Sequence, residues 1–340
     1  MNKSVLWFVV CVVTTALVLT SCHDDKKGSE KEKESTKEVV EPSPFIADNA
    51  YKHIEKQVNF GPRVPNSDAH KACSAYLIDE LKKQSLEVHE QEMVLTAYDG
   101  TLLNAVNIIG SYRPELERRI MIFAHWDTRP VADHDDNPSM TKKPIDGADD
   151  GASGPGVMLE LARLLNIVGL NNIGVDLIFF DAEDYGVPVG VDYKGNSEET
   201  WALGTQYWTR NLHKEGYAPE FGILLDMVGA EDATFYREYF SQESAGTYVT
   251  KIWQVAEERG LQKFFVNKMG GAITDDHFFV IKNLRIPCVD IINYDPNTVN
   301  GFGEHWHTHN DNIERISVET LQAVGETVWQ VLLDLDQSSL

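Results

Sequence analysis

The chain has 340 residues, of which 42% are hydrophobic and 24% are charged, a balance typical of a globular protein with a sizeable core. Its 53 acidic and 30 basic residues give a formal net charge of −23, which argues against a nucleic-acid partner because phosphate binding needs a basic surface. Four cysteines are too few for a disulfide-based scaffold in a chain of this length.

The first segment has the composition of an export signal. Lys3 supplies a basic start, and residues 5–19 form an apolar run that is short for a membrane span. The run ends in the letters LTSC at residues 19–22, which resemble a bacterial lipobox, where the cysteine is lipidated and becomes the new N-terminus. We therefore predict a lipoprotein signal peptide at residues 1–21, with an ordinary secretory signal as the alternative.

Lipidation at Cys22 would be the only link to a membrane, and it predicts an exported lipoprotein of the cell envelope, on the periplasmic face or the outer surface of the outer membrane. Residues 22–43 are rich in charged residues and serine, so we expect a disordered polar tether. Residues 44–340 are predicted to form a single α/β domain. Within it, Cys73 and Cys288 lie in apolar contexts, which favours two buried thiols over a disulfide.

Strand-like and helix-like patterns alternate through this domain. Runs rich in β-branched and aromatic residues predict strands at 105–109, 120–123, 175–180, 221–225 and 288–292. Helical periodicity predicts helices at 48–57, 69–84, 157–165, 201–212, 245–259 and 318–335. The alternation indicates an α/β sheet with helices on both faces, in which ligands bind beyond the carboxyl ends of the strands.

Polar clusters break the hydrophobic pattern at five places, most of them directly after a predicted strand. They are His125 to Asp127, Asp149 with Asp150, Asp181 to Asp184, Asp226, and a histidine-rich run at 304–311. Carboxylates crowded at one sheet edge repel one another unless a cation lies among them. Oxygen and nitrogen ligands suit zinc, with manganese or cobalt as less common occupants, although the sequence contains no HExxH or CxxC motif.

Another acidic stretch, residues 133–137, lies between the first two clusters. A weak calcium site is one interpretation of it. A solvated loop is the favoured one.

The order His-x-Asp, Gly-Ala-Asp-Asp, Glu-Asp, Asp, His resembles the zinc aminopeptidases of the M28 type, and within them the bacterial relatives of the animal glutaminyl cyclases. The resemblance extends over residues 50–335. It implies a three-layer α/β/α sandwich around a central mixed, mostly parallel twisted sheet, the fold of the zinc aminopeptidases. It also implies that residues 44–340 are a catalytic domain.

The resemblance further assigns roles residue by residue. It implies that Asp150, Asp184 and His307 bind zinc, with an aspartate at 184 where the family usually has a glutamate. Glu183 matches the catalytic acid/base. His125 and Asp226 match the residues that hold a second zinc in the two-metal aminopeptidases.

In the cyclases the same two positions persist without a second metal, so the resemblance implies one zinc ion per chain. His125 would then belong to the substrate site, and Asp226 would share a catalytic hydrogen-bond network with Asp276. Trp306, directly before His307, and Trp201 would line the substrate pocket, although Trp201 could equally be a core aromatic.

Three functions are consistent with these residues. The favoured one is the zinc-dependent cyclisation of an N-terminal glutamine of peptides or proteins to pyroglutamate, with release of ammonia. A two-zinc aminopeptidase of the M28 type shares nearly all the ligands and is the alternative. The third is a catalytically inert lipoprotein that binds peptides. Glu183 argues against it, because a site that only binds peptides has no need of a base next to a metal ligand.

Overall fold

The computed structural model describes residues 43–338, in which helices and strands alternate along much of the chain. The elements are α1 Ala47–Val58, α2 Asp68–Lys83, β1 Glu87–Thr96, β2 Leu102–Tyr112, β3 Arg119–His125, α3 Ser153–Ile167, β4 Gly174–Phe180, α4 Leu203–Arg210, β5 Phe221–Asp226, β6 Phe235–Arg237, α5 Tyr239–Glu258, β7 Phe265–Met269, α6 Asp276–Leu284, β8 Cys288–Ile292 and α7 Val318–Gln337. The predicted signal peptide, the lipidation site Cys22 and all of the tether except Ser43 lie outside the described residues.

A six-stranded sheet with the order β1-β2-β4-β3-β5-β8 forms the centre of the fold. Strands β4, β3, β5 and β8 run parallel, while β2 is antiparallel to β4 and β1 is antiparallel to β2. Strands β6 and β7 form a small separate sheet. The parallel strands are buried along their whole length, which explains their continuous apolar sequences.

The two faces of the sheet are covered by different helices, because successive side chains of a strand point to opposite faces. In β3, Ile120 and Ile122 join the core formed with α1, α2, α3, α5 and α7. Met121 and Phe123 of the same strand join the second core, with Trp208 of α4 and Val280 of α6. The predicted three-layer α/β/α sandwich with a mixed, mostly parallel sheet is confirmed.

Several element predictions were incomplete. Strand β1 was missed because it is an edge strand with mostly polar and exposed residues. Helix α6 was missed because it is only nine residues long and because its first residue, Asp276, was interpreted as a site residue. Helix α5 begins six residues before the predicted start, and Ala245, where the prediction began, has non-helical dihedral angles.

Helix α3 begins at Ser153, earlier than the sequence periodicity indicated, and its first turn contains two glycines. A side chain at Gly154 would collide with the Leu225 carbonyl oxygen of β5, and one at Gly156 would collide with Ile54 of α1. These glycines therefore allow the start of α3 to pack closely between the sheet and α1.

Cys73 and Cys288 are both buried free thiols in separate cores, as predicted. No helix among residues 43–338 is long and apolar enough to cross a membrane.

Candidate metal centre and substrate cavity

The polar clusters converge at the carboxyl edge of the parallel strands, where β3 ends at His125 and β5 ends at Asp226. A cavity of about 270 Å³ opens there. Its lining is Asp150, Glu183, Trp201, Asp226, Met227, Ala272, Ile273, Thr274, Asp275, Ile292, Asn300, Phe302, Trp306 and His307. All of the charged side chains in this lining are acidic or histidine, so the cavity suits a cation or an amine.

Asp150, Asp184 and His307 form a buried group whose ligand atoms all lie within 4.8 Å of one another. His307 Nε2 is 3.3 Å from Asp184 Oδ1 and 3.6 Å from Asp150 Oδ2. Four ligands at about 2.0–2.2 Å around a tetrahedral zinc ion are separated from one another by roughly 3.3–3.6 Å. The residues therefore fit zinc, and the Asp184 Oδ2 atom, which is buried with no hydrogen-bond partner among the described residues, is free to contribute.

Two buried carboxylates hold the backbone of the ligand-bearing turns. Asp127 accepts hydrogen bonds from the backbone N–H groups of Glu183 (3.0 Å) and Asp184 (3.2 Å). Asp311 does the same for Asp149 (2.7 Å) and Asp150 (3.1 Å). Both carboxylates are inaccessible to solvent, so these bonds fix where the ligands point. The sequence showed Asp127 and Asp311 in the motifs but gave no role to either.

Backbone conformations at the site are unusual as well. Ala182, Met227 and His307 have φ values of 53°, 48° and 55°, in the left-handed region that non-glycine residues rarely adopt. Ala182 precedes Glu183, and Met227 follows Asp226. These turns aim the side chains at the edge of the sheet, and such conformations concentrate at functional sites.

His125, Asp150 and Asp226 form a second buried group that could hold a metal ion. Here His125 Nε2 is 2.9 Å from Asp150 Oδ1 and 3.2 Å from Asp226 Oδ1. The first distance is shorter than the edge of a tetrahedral zinc site, and the second is that of a hydrogen bond between His125 and Asp226. His125 is 1% exposed and is not among the described residues that line the cavity, so the prediction that it contacts substrate is not supported by its position.

Burial raises the pKa of three carboxyl groups around the cavity, whereas His125 lowers the pKa of Asp150 in spite of its burial. Burial raises the pKa of Glu183 well above its ordinary value; His125 opposes this shift, and Asp275 adds to it. Burial, reinforced by neighbouring carboxylates, also raises the pKa of Asp226 to about 6 and that of Asp275 to about 7. Carboxyl groups this close share protons, so the cluster can take up and release a proton near neutral pH.

The predicted network of Asp226 with Asp276 needs a correction. Asp276 is the first residue of α6, is fully buried, and accepts a hydrogen bond from the Thr205 hydroxyl at 2.6 Å. Asp275, the N-cap of the same helix, lines the cavity, and the charge of Asp226 is the largest cause of its raised pKa after burial. Because consecutive side chains at a helix start diverge, Asp275 lines the cavity and Asp276 does not.

Aromatic rings form one wall of the cavity. The Trp306 ring stacks on the His307 ring with centroids 3.7 Å apart, and the Trp201 ring is nearly parallel to His307 at 6.0 Å. Both tryptophans are partly exposed at the cavity, which supports their predicted place in the substrate pocket. Trp126, by contrast, is a core residue that stacks on His70.

The acidic stretch at residues 133–137 is only in part the solvated loop that was expected. Asp136 and Asn137 are exposed, but Asp133 is paired with the buried Arg129, and Asp135 accepts hydrogen bonds from the backbone and ring of His309. The loop therefore packs against the histidine-rich segment that carries His307.

Comparisons with known proteins agree with this geometry. The model of peptidase family M28 matches residues 107–332. A glutaminyl cyclase of Tannerella forsythia is 55% identical with a TM-score of 0.83, and the match covers 86% of this chain and 99% of that one. A Zn-dependent exopeptidase of Parabacteroides distasonis is 52% identical with the same TM-score and the same coverage.

A more distant relative is the bovine glutaminyl-peptide cyclotransferase, which is 22% identical over 80% of this chain and 78% of its own length. The matched region contains every ligand of the candidate metal centre. The chain belongs to peptidase family M28, in the part of that family that includes the bacterial glutaminyl cyclases.

Proposed function

We propose that this protein is a glutaminyl-peptide cyclotransferase that converts the N-terminal glutamine of peptides or proteins to pyroglutamate and releases ammonia, with one zinc ion per chain. The observation that carries the proposal is the contrast between the two groups around Asp150. Its Oδ2 atom lies 3.6 Å from His307 Nε2, a distance that suits a shared metal ion, whereas its Oδ1 atom lies only 2.9 Å from His125 Nε2, closer than two ligands of one zinc ion. The similarity to three bacterial glutaminyl cyclases of 50–55% identity supports it.

Asp150, Asp184 and His307 would hold the zinc, which when bound supplies a Lewis acid that polarises the γ-amide oxygen of the substrate. The rest of the chemistry falls to the chain. The cavity would hold the α-amine beside the γ-amide carbon of the same glutamine, so that orientation would provide much of the rate enhancement.

Glu183 would move the proton that the reaction requires. The α-amino nitrogen attacks the γ-amide carbon and forms the C–N bond of the five-membered ring, while Glu183 accepts a proton from that nitrogen. Glu183 then returns the proton to the amide nitrogen as its bond to carbon breaks and ammonia leaves. Asp226 and Asp275 face the same space and would share protons with Glu183, which suits a residue that must act first as a base and then as an acid.

Trp201 and Trp306 would enclose the apolar methylene groups of the glutamine side chain and exclude water from the reacting atoms. Water exclusion is needed because hydrolysis of the γ-amide would give glutamate instead of the cyclic product. The acidic lining would bind the amino group of the substrate.

The alternative is a two-zinc aminopeptidase, in which His125, Asp150 and Asp226 hold a second ion and water is the nucleophile. One observation favours it: the three ligand atoms lie within 4.8 Å of one another, so a small outward movement would open a second site. The similarity to a protein described as a Zn-dependent exopeptidase points in the same direction.

Metal content and substrate choice together distinguish these functions. We expect one tightly bound zinc ion per chain, ammonia release from peptides that begin with glutamine, and no hydrolysis of leucine anilides. Two zinc ions with hydrolysis of leucine anilides would establish the aminopeptidase. Binding of peptides without either reaction would establish the inert peptide-binding protein.

Replacing the base tests the mechanism. Glu183→Gln keeps the shape of the side chain but removes its ability to accept a proton, so kcat should fall by about 10²- to 10⁴-fold. Zinc should remain bound, because Glu183 is outside the ligand group. Asp184→Asn is the matched control, and it should lose zinc affinity. Loss of zinc from Glu183→Gln would mean that the roles of the two residues are exchanged.

We also propose that residues 44–340 form the catalytic domain of an exported lipoprotein of the cell envelope, anchored through lipidated Cys22. The lipobox-like residues 19–22 and the polar segment that follows support it. Cys22→Ala should move the protein from the membrane fraction of cells to the soluble fraction. An unchanged distribution would contradict the anchor.

A further inference from the structure

Arg129 lies four residues after the end of β3 and is completely buried, although it carries a permanent charge. Its Nε and Nη2 atoms donate to the two carboxylate oxygens of Asp133 at 2.7 and 2.8 Å, in a bidentate pair. Its Nη1 atom donates to the Asp184 backbone oxygen at 3.0 Å and lies 3.3 Å from Asp184 Oδ1. A buried guanidinium with this set of partners is a fixed part of the site.

Through these contacts Arg129 reaches two of the three zinc ligands. It touches Asp184 directly. It reaches His307 indirectly, because Asp133 Oδ1, which accepts from Arg129, also lies 3.4 Å from His307 Nδ1. The contact between Asp133 and His307 lacks hydrogen-bond geometry, because His307 Nδ1 has no hydrogen-bond partner among the described residues, so Arg129 acts on the zinc ligands mainly through Asp184.

The same guanidinium group contacts the substrate side of the site. It lies over the Trp201 ring, 4.7 Å from the ring centroid. A side chain at Gly186 would collide with the Trp201 ring, and Arg129 Nη1 approaches the Gly186 backbone oxygen at 3.4 Å. Trp201 is therefore held between Gly186, Arg129 and the cavity.

We propose that Arg129 is a positioning residue that fixes the zinc ligand Asp184 and the cavity wall Trp201 in one arrangement, so that zinc affinity and substrate affinity both depend on it. Arginine suits this task because its planar group can form a bidentate pair in its plane and stack on an aromatic ring with its face. A lysine at 129 would retain the charge but could not make both contacts. The part of the proposal that concerns substrate rests on the proposed function; the part that concerns zinc does not.

The test compares Arg129→Lys with wild type and with Arg118→Lys. Arg118 pairs with Glu220 at 2.8 Å, away from the cavity, so this control measures the cost of an arginine-to-lysine change outside the site. Zinc affinity is measured by competition with a chelator in the absence of substrate. We expect Arg129→Lys to bind zinc about 10- to 100-fold more weakly and Arg118→Lys to match wild type.

A double-mutant cycle with Trp201→Leu tests the second contact, with KM measured at saturating zinc. Arg129→Lys alone and Trp201→Leu alone should each raise KM, the first by roughly 3- to 10-fold. In the Trp201→Leu background, Arg129→Lys should raise KM no further but should still weaken zinc binding. A purely structural role for Arg129 would not produce this separation of the two effects.

Wild-type zinc affinity in a folded Arg129→Lys protein would overturn the proposal, and so would increases in KM that are independent of Trp201. If Arg129→Lys does not fold, Arg129→Gln is measured against the same expectations. Failure of the wild-type protein to cyclise glutamine would refute the proposed function, whereas the zinc measurement would still decide the contact with Asp184.

Discussion

Asp127 offers the sharpest test of how the site is built. Its Oδ1 atom accepts from the Glu183 N–H and its Oδ2 atom accepts from the Asp184 N–H, so one carboxylate aligns the base and a zinc ligand together. In Asp127→Asn, one oxygen becomes an NH₂ group. That group would face a backbone N–H, and two donors cannot bond to each other.

The expected cost follows from these contacts. The substitution removes one hydrogen bond to a charged acceptor in a fully buried position, which costs about 1.5–3 kcal/mol of folding stability. The turn at residues 183–184 must then shift to relieve the contact between donors. Loss of a residue that orients a metal ligand lowers affinity by about 10- to 100-fold. A displacement of about 1 Å at a reacting group lowers kcat by about 10²-fold.

Asp311→Asn is the matched comparison, because Asp311 accepts hydrogen bonds from the backbone N–H groups of Asp149 and the ligand Asp150 and none from Glu183. Both variants should bind zinc more weakly in a chelator competition. At saturating zinc, Asp311→Asn should recover a kcat near that of wild type, whereas Asp127→Asn should remain slow because its base is displaced. Full recovery of kcat by zinc-saturated Asp127→Asn would refute the idea that Asp127 aligns Glu183.

Two further outcomes are expected. Removing zinc with a chelator should lower the melting temperature, because the metal binds only the folded ligand group. Zinc at 100 times its Kd adds about 2.7 kcal/mol to the free energy of unfolding. An unchanged melting temperature would argue against a preformed site. Burial lowers the pKa of His213 to about 4, and its Nδ1 accepts from Trp208 Nε1. The unfolded chain therefore takes up the proton first as pH falls from about 6.5 to 4, and stability is lost in that window, by about 1–2 kcal/mol after allowance for partial exposure. The Gln side chain of His213→Gln can still accept a hydrogen bond from the indole but does not titrate. Denaturant unfolding of the metal-free variant should therefore show a smaller loss of unfolding free energy than wild type between these two pH values. An equal loss would contradict the assignment of this pH dependence to His213.

Much of the site was accessible from local sequence pattern. Buried parallel strands are continuous apolar runs, so the residues at their carboxyl ends stand out, as His125 and Asp226 do. Because those ends meet at one edge of an α/β sheet, residues far apart in sequence could be placed together before any coordinates were considered. The clusters that contain Asp150, Asp184 and His307 were found in this way. The family resemblance implied that these three residues are the ligands, and the structure brings their side chains together.

The residues that support the ligands were not accessible in this way. Asp127 and Asp311 bond to backbone N–H groups 56 to 162 positions away along the chain, and an aspartate that accepts from a distant backbone looks in sequence like any loop aspartate. Arg129 and Asp133 form a pair within one loop, but only the packing of that loop against Asp184 and His307 gives the pair its importance.

The difference between Asp275 and Asp276 shows most clearly what the sequence determines and what depends on the tertiary structure. The sequence places two adjacent aspartates at 275 and 276, and the family resemblance implied that Asp276 would share a network with Asp226. Which of the two side chains enters the cavity depends on the residue at which α6 begins, since the N-cap residue and the first helical residue project in different directions. The Asp275 side chain caps that start locally, and packing against α4 with the hydrogen bond from the Thr205 hydroxyl to Asp276 holds it against the site. These last contacts join residues 71 positions apart and are properties of the tertiary structure.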